Sequence, residues 1–167
     1  MSDLIEKIQN HEVLKEYIVD ACREGAAEVR IPEQIEEYCI VNPEKYFINQ
    51  RLGDSPASVD FIITTLCRNH FHNHNLIELK SISTTLRGED AKIYKKFEDT
   101  FDNFLLDKFK DIYATKKKRC FKFYLVHNIK SSSDLNLLKK LFMQPIKRNI
   151  GNIIIECQKS PFKLKRC

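Results

Sequence analysis

Two apolar, β-branched runs joined by a short polar segment constrain this chain more than any other feature. "SVDFIITTLC" (58–67) and "NLIELKSIS" (75–83) are strand-length and rich in Ile, Val and Thr, and each reads as a β-strand. Between them, "RNHFHNHN" is Asn-rich and polar, which suits a hairpin loop. A loop centred near His70 places Asp60 opposite Lys80, with Glu78 two residues away. Side chains alternate faces along a strand, so Glu78 and Lys80 share a face, and Asp60 joins them in this register. A slip of one residue would send Asp60 to the other face.

The remaining pattern surrounds this hairpin with helices and further strands. Residues 3–24 carry apolar side chains at three-to-four spacing and predict an amphipathic helix that stops at Gly25. Pro32 opens a short second helix, "PEQIEEYC", and "KYFINQRL" (45–52) is a strand candidate closed by "GDSPAS". With the two strong strands it would complete a three-stranded antiparallel meander. Ile93, Phe97, Phe101, Phe104 or Leu105, Phe109 and Ile112 form an apolar stripe along a long helix over 89–115. Then come a strand at 120–126, a helix at 133–142 with Ser133 as N-cap, and a last strand at 152–157. The order α-β-β-β-α-β-α-β implies a mixed-sheet α/β (α+β) fold, with residues 1–167 forming one domain.

Composition narrows the setting. The 28 Lys and Arg exceed the 23 Asp and Glu, a net charge of +5 that permits a polyanionic partner without requiring one. No apolar run approaches the ~18 residues of a membrane span, and "MSDLIEKIQNHEVL" has no secretory pattern, so a cytoplasmic protein is expected. The six cysteines are scattered and expected to be buried or idle thiols. None stands at zinc-ligand spacing from another cysteine or a histidine. The tripeptide His72-Asn73-His74 is contiguous, whereas the ββα-metal nuclease motif spreads its His, Asn and His over two strands and a helix. His70, His72 and His74 at alternate positions leave a transition-metal site open, against the simpler reading of a solvent-exposed turn.

Asp60, Glu78 and Lys80 each interrupt an otherwise apolar strand. Such charges are rarely buried unless paired, so an Asp60–Lys80 salt bridge on a solvated face is one explanation. The other is phosphodiester hydrolysis. Neighbouring carboxylates bind Mg²⁺, which acidifies water and acts as a Lewis acid, while a lysine orients that water or offsets transition-state charge. The backbone carbonyl of Leu79, between Glu78 and Lys80, is available as a further ligand.

"SVDFII" and "IELKSIS", with 17 residues between Asp60 and Glu78, followed by an amphipathic helix and a strand, resemble the PD-(D/E)xK nuclease superfamily, including type II restriction endonucleases. The resemblance spans residues 1–126. It implies a restriction-endonuclease-like core, Asp60 and Glu78 as ligands of Mg²⁺ (with Mn²⁺ able to substitute), and Lys80 as the catalytic lysine. Val59 stands where the family's proline usually precedes the aspartate, with Pro56 upstream. Many members add a helix glutamate, for which Glu24, Glu28, Glu36 and Glu37 are candidates.

For nucleic-acid contacts, Lys116, Lys117, Lys118 and Arg119 follow the long helix, and Lys92, Lys95 and Lys96 lie near its start. In a nuclease they would bind backbone phosphates. The expected function is a Mg²⁺-dependent endonuclease on DNA, of restriction or other defence type, with a homodimer required for concerted double-strand cleavage. Two alternatives stay open. One is a catalytically silent nuclease-fold module binding nucleic acid or a protein, and the other is an RNase or toxin using the same site.

Overall fold

The computed structural model describes residues 3–51, 53–81, 88–114 and 119–166. Helix α1 (Asp3–Asn10) leads through a 3₁₀ turn (Leu14–Tyr17) into the short strands β1 (Ile18–Val19), β2 (Cys22–Glu24) and β3 (Ala27–Arg30). Then follow β4 (Tyr38–Val41), α2 (Pro43–Asn49), β5 (Phe61–Leu66) and β6 (His72–Lys80). Helix α3 (Asp90–Asp99) runs directly into a π-helix (Thr100–Lys108) and a last turn, α4 (Lys110–Tyr113). The chain closes with β7 (Arg119–His127), α5 (Ser132–Leu141), β8 (Ile146–Arg148), β9 (Gly151–Ile153), β10 (Ile155–Lys159) and β11 (Phe162–Lys163).

The central sheet has six strands in the order β1-β4-β5-β6-β7-β10. Pairings from β1 to β6 are antiparallel, while β6–β7 and β7–β10 are parallel. This is the mixed sheet with flanking helices expected from the sequence. One face packs on the helices through Ile62, Leu76 and Phe123 against Ile8, Phe97 and Phe101. The other carries Ile63, Ile77 and Val126 against Val29 and Phe162 of a second, three-stranded sheet, β11-β3-β2. β6 is therefore covered on both sides, and eight of its nine residues are buried.

Several elements differ from expectation for identifiable reasons. The strand expected over 45–52 is not formed by its described residues 45–51: Pro43–Asn49 is a helix, N-capped by Asn42 Oδ1, which accepts the Lys45 amide at 2.9 Å, with Pro43 in its first turn. The first strand of the meander is instead β4, which starts at the last two residues of the segment read as the helix "PEQIEEYC"; the rest of that segment is turn and loop. The helix expected over 3–24 ends at Asn10, because His11 Nδ1 accepts the amides of Val13 and Leu14 and Ile18–Val19 pairs with β4. Ser131 rather than Ser133 caps α5, accepting the Asp134 amide.

The polar segment between β5 and β6 is mostly strand. The turn is confined to Cys67–Phe71, with His70 at a positive φ of 59°. His72 and His74 are buried in β6, so the expected exposed turn holds only for His70. His74 Nδ1 lies 3.0 Å from Thr64 Oγ1, its ring contacts Tyr113 and Phe121, and burial pushes its pKa down to about 3. Cys67 is disulfide-bonded, unlike the idle thiols expected, while Cys22 and Cys39 are buried and free. Among the described residues, no helix is long and apolar enough to cross a membrane.

The helix after β6 widens where its aromatic load is greatest. The Phe109 amide bonds back to Phe104 across five residues, the π-helical spacing, and Phe101, Phe104 and Leu105 are all buried. Phe104 meets the rings of Tyr46, Phe47, Phe109 and Tyr113. Phe104→Ala is expected to destabilise the fold by about 3–5 kcal/mol, read as a lower midpoint in urea denaturation, because this ring cluster cannot close around the void.

Candidate active site

The hairpin register brings the expected residues together, with one shift. Phe61 pairs with Ile77, not Leu79, so continuing the ladder one residue places Asp60 beside Glu78 rather than across from Lys80. The displacement is an even number of residues and preserves the face. Glu78 and Lys80 point to the helix side of the sheet, and the Lys80 ammonium lies 3.3 Å from Glu78 Oε1. An Asp60–Lys80 salt bridge is not what joins the strands. Instead Asp60 Oδ2 accepts the Leu79 amide at 2.6 Å.

A second ammonium completes the cluster. Lys96, on α3, donates to Glu78 Oε1 at 2.8 Å and reaches Asp60 Oδ1 at 4.0 Å. The sequence places Lys96 only among general phosphate contacts, and no local pattern marks it out from the other basic residues. The junction of α3 and the π-helix also holds the strand that carries Asp60. Thr100 Oγ1 accepts the Val59 amide at 2.9 Å and donates to the Lys96 carbonyl at 2.7 Å, and Asp99 Oδ2 accepts the Ala57 amide at 3.1 Å. Asp60 and Lys96 are thus tied to each other through backbone as well as charge.

Burial sets the electrostatics. Glu78 has 0% exposure and Asp60 only 5%. Burial pushes the Asp60 pKa up to about 8, reinforced by the Glu78 charge and opposed by the Leu79 amide and Lys96. Burial also raises Glu78, against the lowering effect of Lys96 and Lys80. Lys96 is held above its ordinary value: burial works against its charge, but Glu78 and Asp60 outweigh it. Glu78 Oε2 is buried with no hydrogen-bond partner.

Of the four candidate acids from upstream, Glu24 is the one whose charge reaches Asp60. The β2–β3 turn brings it there: Gly25 adopts a φ of 54°, and a Cβ on it would stand 3.4 Å from Ser81, just past Lys80. Glu28 is taken up by Arg30 at 2.7 Å, and Glu36 and Glu37 precede β4 at the end of the sheet remote from Asp60. Glu44, in the first turn of α2, is not among the sequence candidates; it stands one residue ahead of the run that reads as a strand. Glu24, Glu44 and Asp60 line a cleft of about 600 Å³ with Arg23 and Lys45.

The basic residues divide. Lys92 pairs with Glu89 at 3.0 Å on the exposed side of α3, and Lys95 pairs with Asp99. Arg119 pairs with His72 in the β6–β7 ladder, eight residues from the Lys80 end and therefore ~26 Å away. Its guanidinium donates to the Tyr113 carbonyl and lies over the Phe121 ring, so it is not part of this cluster. Lys116, Lys117 and Lys118 lie outside the described residues. Among the described residues, no three His, Cys, Asp or Glu side chains converge as a metal-binding group. Compared with protein-family models, curated proteins and solved structures, the chain matches none.

The raised Asp60 pKa has a consequence for stability. Folded Asp60 keeps its proton up to about pH 8, against 3.8 when unfolded, so its contribution falls as pH rises between those values. Asp60→Asn removes this titration. Its stability relative to wild type is expected to improve by at least ~1 kcal/mol between about pH 5 and about pH 9, measured by chemical denaturation at both.

Proposed function

We propose that this chain is a Mg²⁺-dependent nuclease with a restriction-endonuclease-like core, cutting phosphodiester bonds in DNA. The observation that carries the reading is the convergence of Asp60, Glu78 and Lys80 at one end of adjacent antiparallel strands, beside an open cleft. The antiparallel β4-β5-β6 meander followed by a helix and the parallel strand β7 supports the same core.

The donor set fits a hard divalent cation. Burial raises both carboxyls and the Glu78 charge raises Asp60 further, so the pair favours added positive charge, and Glu78 Oε2 is a buried oxygen without a hydrogen-bond partner. Asp60 and Glu78 would hold Mg²⁺, with the Leu79 carbonyl as a further oxygen and Glu24 across the cleft. When bound, Mg²⁺ supplies Lewis acidity and an acidified water. Lys80, 29% exposed at its side chain, orients the attacking water and offsets charge on the phosphate. The Leu79 amide keeps Asp60 aimed into the site. Lys92, on the exposed side of α3, contacts a backbone phosphate away from the reacting bond.

A second reading rests on a specific contact. Lys96 already neutralises Glu78, as it would in a nuclease-fold module that binds nucleic acid without cutting it. Supercoiled plasmid and structured RNA, each incubated with Mg²⁺ or Mn²⁺, separate these readings. The expected outcome is metal-dependent plasmid nicking that drops by about 100-fold or more in Asp60→Ala and Lys80→Ala. Its rate should rise as pH approaches about 8, because the ligand form of Asp60 is the carboxylate. Plasmid binding without turnover would favour the silent module, and cleavage of RNA alone would identify a ribonuclease.

A further inference from the structure

Lys96 occupies an unusual place for a phosphate-binding lysine. Its ammonium is turned away from solvent into the carboxylate pair, 2.8 Å from Glu78 Oε1 and 4.0 Å from Asp60 Oδ1. Lys80 touches the same Glu78 oxygen at 3.3 Å, so Oε1 carries both ammoniums while Oε2 has no partner. A divalent cation held by both Asp60 and Glu78 would have to enter the space between the two carboxylates, which the Lys96 ammonium now fills from Glu78 Oε1 to Asp60 Oδ1. Two cations held this close together repel strongly in a buried site. Lys96 and a metal therefore compete for the same position.

We propose that Lys96 is a tethered counter-ion: it fills the cation position of the Asp60–Glu78 pair and is displaced from it when a divalent metal binds. This rests on the nuclease reading of the site and adds how the site is loaded. The Lys96 backbone stays in place, because its carbonyl accepts from Thr100 Oγ1, which in turn accepts the Val59 amide. Displacement is thus a side-chain rotation. The side chain is 24% exposed and Lys92 lies one turn earlier on the exposed side of α3, which gives the ammonium a route to the surface. Once displaced, it is delivered to the same face of the helix as Lys92, where a phosphate would bind. The device keeps two buried carboxylates compensated without metal and makes release of the Lys96 ammonium conditional on loading.

Calorimetric titration of Mn²⁺ and Mg²⁺, without nucleic acid, tests this in wild type, Lys96→Met and Lys96→Arg. Lys96→Met is expected to bind Mn²⁺ about tenfold or more tightly at about pH 8.5, because a charge-assisted contact no longer opposes the metal. Lys96→Arg keeps the charge and should stay near wild type. In wild type, acylation of Lys96 by a soluble succinimidyl ester, read by peptide mass, should rise several-fold on metal addition. Equal metal affinity in wild type and Lys96→Met overturns the proposal and leaves the nuclease reading intact. So does Lys96 acylation that is unchanged in a wild-type protein shown to bind metal, the deciding measurement if Lys96→Met fails to fold. Absence of metal binding in folded wild type and folded Lys96→Met, together with absence of cleavage, would instead remove the nuclease reading and this inference with it.

Discussion

A fully buried glutamate in the middle strand of a sheet needs compensation from every side, and Glu78 is that residue here. Its charge is met by Lys96 from the helix layer and Lys80 from its own strand, with Asp60 alongside, immediately before β5. Removing a charge from water costs several kcal/mol unless partners replace the lost hydration. The arrangement therefore holds only while β5, β6 and α3 keep their relative positions. Stability and the chemistry of the site depend on the same three elements.

The packing around the site supplies that rigidity. Thr100 and Asp99 bond the backbone that leads into β5, so the Asp60 segment is docked on α3 before any side-chain charge is considered. Beyond Thr100 the helix widens and commits Phe101, Phe104 and Leu105 to the core, which anchors the far end of the same rod. The stacked rings of Phe97 and Phe123 join α3 to β7. A site held by such a shell keeps its side chains within the narrow tolerances that a reaction requires.

The three-stranded sheet completes the other side. It covers Ile77 and Leu79, and its turn at Gly25 passes close to Ser81. That contact sets Glu24 at the rim of the cleft, opposite the start of α2 with Glu44. The cluster is consequently acidic toward the cleft and basic toward α3.

Alternation along two short strands was enough to group Asp60, Glu78 and Lys80 from the sequence. Parity survives a two-residue change of register, so the face was legible although the partner of Asp60 was not. The aromatic stripe from Ile93 to Ile112 likewise announced a helix facing the core. Long-range pairing decided the rest. His72 and His74 read as loop because their polarity is local information, while β7, far along the chain, pairs beside them and buries them. Asn42 and Pro43 turn "KYFINQRL" into a helix, a capping signal that outweighed the β-rich appearance of the run. No local pattern separates Glu24 from Glu28, or Lys96 from Arg119. Those choices belong to the docking of α3 on the sheet and of the β2–β3 turn on the end of β6, contacts between segments that spacing along one strand or helix cannot encode.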